Sequence, residues 1–140
     1  MKKMYKHLND EQLEELLIIY RLTSFALHPN NEEIYREKTI ELMNKRQPLL
    51  YEISMRRNHL VKRKSTKRNP QVANKLINEC FDLLEQEHLD FIIKSMNDLR
   101  SEMTLSPTGS IICNSVLVDK DLINEYLTLL KHYIKNKKSH

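Results

Sequence analysis

Residues 9–27 read NDEQLEELLIIYRLTSFAL, and their apolar side chains recur at the three- and four-residue spacing of an α-helix. Asn9 is a suitable N-cap, and Gln12 follows three residues later, which is the spacing of a capping box. Acidic residues fill the first turn, where the positive end of the helix dipole favours them. The residue before Pro29 is pushed out of helical geometry. The stretch therefore predicts a helix from about Asp10 to Leu27.

This first helix carries more apolar side chains than one buried stripe of a bundle requires. Four of them widen the stripe beyond a single face: Ile18, Ile19, Leu22 and Phe25. Exposed apolar patches of this kind usually mark interaction sites, so the four residues are predicted to bind a partner helix or a second copy of the chain. The alternative is that the helix lies at the centre of the bundle and is covered on all sides.

A second helix is predicted from Asn30 or Asn31, and its apolar stripe continues past Pro48. A proline inside a helix removes one backbone hydrogen bond and clashes with the carbonyl group four residues earlier. We therefore expect a kink or a short break near Lys45–Gln47.

Two further helices follow. Asn69 as N-cap and Pro70 at the first helical position predict the start of a third helix, whose stripe continues for about thirty residues. The fourth helix is predicted to begin at Asp119 and to end near Asn136.

An irregular segment, at about residues 104–118, separates these last two helices. It contains the turn sequence SPTG at 106–109 and the β-branched stretch IICNSVLV at 111–118. The stretch has strand composition, but a single strand needs a partner. An extended segment that covers the bundle is therefore the expectation.

Gly109 is the only glycine among 140 residues. Sandwiches and barrels need many glycines at turns, so the composition favours one all-α domain over residues 1–140. The predicted fold is an up-and-down helical bundle of four to five helices, broken or kinked near Pro48. Phosphate-binding loops, dinucleotide fingerprints and nucleophile elbows all require glycines that this chain lacks. The chain is therefore predicted not to be an enzyme.

Few other residues are candidates for catalysis or metal binding. Cys80 and Cys113 form no CxxC pair, which is typical of free thiols in a reducing cytosol. Glu85 and His88 form one Glu-x-x-His pair, whereas a di-iron bundle needs two such pairs and two more glutamates. His88 is therefore interpreted as a core or interface histidine, and no catalytic residue, metal or cofactor is predicted.

Cellular location is inferred from apolar runs and composition. The N-terminal residues include no apolar signal-peptide region, and the run from Leu16 to Tyr20 is too short to cross a bilayer. The protein is therefore expected to be cytoplasmic. Its abundance of Lys, Asn and Ile suggests an AT-rich genome, such as that of a low-GC bacterium or a phage.

The segment 56–68, RRNHLVKRKSTKR, combines many cations with no acidic residue, and residues 62–69 are predicted to form a loop. Its charged residues are Arg56, Arg57, Lys62, Arg63, Lys64, Lys67 and Arg68. Such a cluster can neutralise phosphates, although no aromatic residue stands between the charges to stack on bases. A solvated loop, contact with an acidic protein surface and nucleic-acid binding all remain open.

From these features we expect a small regulator, adaptor or inhibitor that binds a protein partner through helical surfaces. A homodimer is one form that this binding could take. The alternative function is nucleic-acid binding through segment 56–68.

Overall fold

The computed structural model describes residues 5–56, 76–105, 110–113 and 116–138. The described residues form helices and one pair of short strands, and the predicted all-α bundle class is confirmed. In chain order the elements are α1 (Asp10–Leu27), α2 (Glu33–Lys45), α3 (Gln47–Met55), α4 (Ile77–Phe81), α5 (Gln86–Leu105), β1 (Ser110–Cys113), β2 (Val116–Asp119) and α6 (Lys120–Lys138).

Helix α1 has the predicted bounds and the predicted capping box, but His28, which was expected to leave helical geometry before Pro29, keeps helical dihedral angles of φ −55° and ψ −38°. The Asn9 side-chain oxygen accepts a hydrogen bond from the Gln12 backbone N–H at 2.8 Å, and the Gln12 side-chain oxygen accepts one from the Asn9 N–H at 2.8 Å. Two backbone donors that the helix leaves without a partner are thereby satisfied.

The same helix occupies the centre of the fold, where it contacts α2, α3, α4 and α5. Its side chains Leu13, Leu16, Ala26 and Leu27 are fully buried. A helix with neighbours on several sides needs a wide apolar surface, which explains why its apolar residues exceed one stripe.

A break separates α2 from α3 at Arg46, as the sequence predicts. Pro48 is the second residue of α3, a position where its missing N–H is no loss. The start of α2 differs from the prediction, because the Asn30 side chain accepts a hydrogen bond from the Glu32 N–H at 2.9 Å. This contact holds a turn ahead of the helix, which therefore begins at Glu33 rather than at Asn30 or Asn31.

The prediction of one long third helix is wrong, because residues 82–85 interrupt it between α4 and α5. Turn hydrogen bonds from Leu83 to Cys80 and from Leu84 to Phe81 close the end of α4. The His88 ring nitrogen Nδ1 then accepts a hydrogen bond from the Glu85 N–H at 2.9 Å, the role that Glu or Gln plays in a capping box. The predicted start at residues 69–70 lies outside the described residues.

Segment 110–119 is a two-stranded antiparallel hairpin that pairs Ile111 with Val118 and Ile112 with Leu117. The expectation of an unpaired extended segment is therefore wrong, since the segment supplies its own partner strand. At its end, the Asp119 carboxylate accepts a hydrogen bond from the Leu122 N–H at 2.9 Å and caps α6 where the sequence predicts that helix to begin.

The core lies between α1, α4, α5 and α6. The Phe81 ring packs edge-on against the rings of Tyr126 and Tyr133, at centroid distances of 5.8 and 5.4 Å. Such edge-to-face contacts contribute beyond the burial of apolar area. Within the described ranges, no helix combines the length and the apolar composition that crossing a membrane requires.

Candidate functional site

The apolar face predicted on α1 is not exposed in the folded chain. Ile19 and Leu22 are only 2% and 1% exposed, and Ile18 and Phe25 are partly buried against the core. This placement corrects the predicted docking face and favours the alternative of a helix covered on all sides. The four side chains stabilise the bundle itself, because burying apolar area contributes roughly 25 cal/mol per Å².

Arg56 is the one residue of the predicted basic cluster that the structure describes; Arg57, Lys62, Arg63, Lys64, Lys67 and Arg68 lie outside the described residues. Its guanidinium donates to the Glu52 carboxylate at 2.7 Å and to the Asp10 carboxylate at 3.2 Å. It also donates to three backbone carbonyl oxygens of the segment that precedes α1, those of Tyr5, Lys6 and Leu8.

These contacts give Arg56 a structural role. The hydrogen bond to Glu52 raises the pKa of Arg56, although partial burial opposes this effect, so the guanidinium stays charged. Its donors point at oxygen atoms of the chain itself, so Arg56 is not an exposed cation of the basic cluster. Arg56 instead fastens the residues before α1 to the end of α3.

The exposed large apolar side chains form a different surface. Among the described residues they are Ile34, Ile40, Met43, Tyr51 and Met55, and all five belong to α2 or α3. Ile40 and Met43 are three residues apart on α2, and Tyr51 and Met55 are four residues apart on α3, so each pair lies on one side of its helix; we call these four residues the outer row. Sequence reasoning missed this row because helical spacing alone does not show which side of α2 and α3 the other helices cover.

Acidic residues flank the N-terminal end of the outer row. Glu33 and Glu37 are exposed on α2 and precede Ile40 by seven and three residues, so they lie on nearly the same side of the helix. Arg36 is also exposed and precedes Ile40 by four residues, so this end of the row carries two negative charges and one positive charge.

A cavity of about 300 Å³ lies between the C-terminal halves of α1 and α2. Ser24, Phe25 and His28 line it from the first helix and its end, and Thr39, Met43 and Arg46 line it from the second. The sequence does not reveal this cavity, because its two sides come from different helices.

A second cavity of about 400 Å³ lies between α4 and α6. There the Tyr133 hydroxyl donates to the Asp82 carboxylate at 2.7 Å, and the Lys137 ammonium lies 5.7 Å from the centre of the Tyr133 ring. Burial raises the pKa of Tyr133, and the hydrogen bond to Asp82 raises it further. The phenol therefore remains protonated near neutral pH and cannot act there as a base.

The two remaining residues that the sequence analysis considered, His88 and Cys80, are buried in the fold. His88 is buried, as interpreted, with Nδ1 engaged by the Glu85 backbone and its ring edge-on to Tyr35 at 5.5 Å. Burial raises the pKa of the Cys80 thiol to about 12, which makes it a poor nucleophile. In the part of the chain that the structure describes, no three His, Cys, Asp or Glu side chains are grouped to hold a metal ion.

The chain matches no protein-family model, and searches of curated proteins and of solved structures found no match either. The outer row and the two cavities therefore have to indicate their function through their own chemistry and geometry.

Proposed function

We propose that the protein is a small, non-enzymatic interaction protein that binds an amphipathic helix of a partner protein on the outer row of α2 and α3. The observation that carries this proposal is that, among the residues whose side-chain burial the structure describes, all exposed large apolar side chains lie on these two consecutive helices. Single exposed apolar residues are ordinary, whereas a contiguous group of them usually marks an interaction surface.

The composition of the outer row supports binding to another protein. Tyr51 and Met55 are 56% and 67% exposed, and aromatic and methionine side chains are enriched at protein interfaces. The spacing of Ile40 and Met43 on α2 suits the side-by-side packing of two helices, in which apolar residues alternate at three- and four-residue intervals.

The flanking charge defines the partner further. Because Glu33 and Glu37 outnumber the single cation Arg36 at this end of the row, the partner helix is expected to carry Lys or Arg beside its apolar stripe. Complementary charges at the edge of an interface mainly increase the association rate and fix the orientation of the partner.

Photocrosslinking tests this proposal. A photoreactive amino acid at Tyr51 should capture a partner from host lysate, and the same amino acid at Lys94, which is exposed on α5, should not. The double variant Ile40→Glu, Tyr51→Glu should weaken binding of the captured helix by at least about tenfold, as expected when anchor residues are lost. The matched control is Lys94→Glu.

Two results would contradict the proposal. The first is unchanged binding by a folded Ile40→Glu, Tyr51→Glu variant. The second is light scattering that shows a dimer of this chain dissociated by Ile40→Glu, because the outer row would then bind a second copy rather than a different protein.

The nucleic-acid alternative stays a prediction from the sequence. Its remaining cations lie outside the described residues, and Arg56 is engaged within the chain. A mobility shift on random duplex DNA, abolished by replacing Arg63, Lys64, Lys67 and Arg68 with Glu, would support it, and the absence of any shift at low salt would exclude it.

A further inference from the structure

The cavity between α1 and α2 brings together polar groups from two helices. Ser24 and His28 are four residues apart, and Thr39, Met43 and Arg46 follow the same helical periodicity, so each helix presents one stripe to the shared space. Its volume of about 300 Å³ is at the lower end of the range for small-molecule sites.

The Ser24 hydroxyl is unusual among the hydroxyl groups of this region. Ser24 is 4% exposed, and its oxygen has no hydrogen-bond partner among the described residues. By contrast, Thr23 donates to the Ile19 carbonyl oxygen at 2.7 Å, and Thr39 donates to the Tyr35 carbonyl oxygen at 2.9 Å. A buried hydroxyl without a partner is destabilising, so one that lines a cavity is available to hydrogen-bond a bound ligand.

Arg46, on the opposite wall of the cavity, is also incompletely satisfied. Its Nε atom is buried without a hydrogen-bond partner, and no carboxylate of the described residues forms an ion pair with it. The break between α2 and α3 falls at this residue. A guanidinium that presents an unused Nε–H beside a cavity can bind two oxygen atoms of an anion side by side.

Arg21 of α1 does not line the cavity, but it lies close enough to Arg46 for the two charges to interact. Burial lowers the pKa of Arg21, and the nearby positive charge of Arg46 lowers it further.

We propose that this cavity binds a small organic anion with a carboxylate or phosphate-ester head group. The head group accepts hydrogen bonds from Arg46 Nε and from the Ser24 hydroxyl, and the organic part packs against Phe25 and Met43. His28, which is exposed, lies at the rim where a ligand enters.

Isothermal titration calorimetry on the full chain tests this site with three probes of similar shape. Benzoate and phenyl phosphate carry the two head groups, and benzamide is their neutral counterpart. Saturable binding of benzoate alone identifies a carboxylate site, and saturable binding of phenyl phosphate alone identifies a phosphate site. In either case, benzamide should bind at least about tenfold more weakly, since a hydrogen bond to a charged group is lost.

Variants then assign the binding to this cavity. Arg46→Met keeps the aliphatic part of the side chain and should weaken binding of the anion by at least about tenfold. Arg36→Met, at an exposed position of α2, should leave the affinity for the anion unchanged. Ser24→Ala is a smaller change that preserves the fold and should also reduce affinity, so it replaces Arg46→Met if that variant misfolds.

Three outcomes would overturn the proposal. One is no saturable binding of either anion at roughly 10 mM, where a Kd of 1 mM would give near-saturation. Another is equal affinity for benzamide and the anions. The third is wild-type affinity in folded Arg46→Met and Ser24→Ala variants, which would show binding elsewhere on the surface.

Discussion

The hydroxyl oxygens of Thr23 and Tyr126 lie 2.6 Å apart in the core and join α1 to α6. Thr23 also donates its hydroxyl proton to the Ile19 carbonyl oxygen at 2.7 Å, so the Tyr126 hydroxyl is the donor to Thr23. Burial raises the pKa of Tyr126, which keeps this donor protonated. The first and last helices of the chain are therefore linked by a directional hydrogen bond within apolar surroundings.

Substitutions at this pair should not be additive. Thr23→Val removes the acceptor and leaves the Tyr126 hydroxyl buried without a partner, which should lower the free energy of unfolding by about 1–3 kcal/mol. Tyr126→Phe should cost only about 1 kcal/mol, because Thr23 keeps its bond to Ile19. The double variant should be less destabilised than the sum of the two, as measured by urea denaturation. Additivity within about 0.5 kcal/mol would contradict the coupling.

Arg56 should contribute to stability through contacts that lysine cannot reproduce. Arg56→Lys and Arg56→Gln both remove the planar donor fork that serves two carboxylates and three carbonyl oxygens. Because the side chain is partly exposed, we expect each variant to lose about 1–3 kcal/mol in urea denaturation.

The exposed pair Lys94–Asp98, with an N–O distance of 3.3 Å, supplies the control for Arg56. Lys94→Gln should change the free energy of unfolding by less than about 0.5 kcal/mol, because exposed ion pairs contribute little. Equal effects of Arg56→Gln and Lys94→Gln would show that the Arg56 contacts do not stabilise the fold.

Stability should decrease at alkaline pH because of Cys80. Burial raises its pKa from the ordinary value of 9.0 to about 12. Below pH 9 the thiol is protonated in both states, whereas between pH 9 and 12 only the unfolded chain releases the proton. The free energy of unfolding should therefore fall in this window, by up to about 1.4 kcal/mol per pH unit for this group.

The contribution of Cys80 can be isolated by comparing slopes. Burial also raises the pKa values of Tyr20 and Tyr126 above their ordinary value of 10.0, so their effect begins at higher pH. Denaturation of Cys80→Ala between pH 9 and 10 should show a smaller loss per pH unit than wild type. Identical slopes in the two proteins would mean that Cys80 does not titrate differently in the folded state.

Features that depend on neighbouring residues along the chain were predictable. The capping box of Asn9 and Gln12, the break next to Pro48 and the cap at Asp119 each involve groups within a few residues of one another. Helix propensity, capping and proline geometry act over this short range. The all-α class follows from many such local preferences, together with the scarcity of glycine.

Two local features were not predicted, because their sequences differ from the common capping and strand patterns. The interruption between α4 and α5 is closed by His88, which replaces the usual Glu or Gln of a capping box. Strands β1 and β2 pair one half of the β-branched stretch with the other, whereas its composition predicts an extended segment without a partner strand.

The candidate sites were decided by tertiary structure alone. The sequence specifies that α1 is apolar on more than one face, but only the positions of the surrounding helices cover Ile19 and Leu22 and leave Ile40 and Tyr51 exposed. Likewise, the sequence marks Arg56 as a cation, and the fold directs its guanidinium to oxygens more than forty residues away. Burial and pairing depend on which distant segments meet, and helical periodicity carries no information about that.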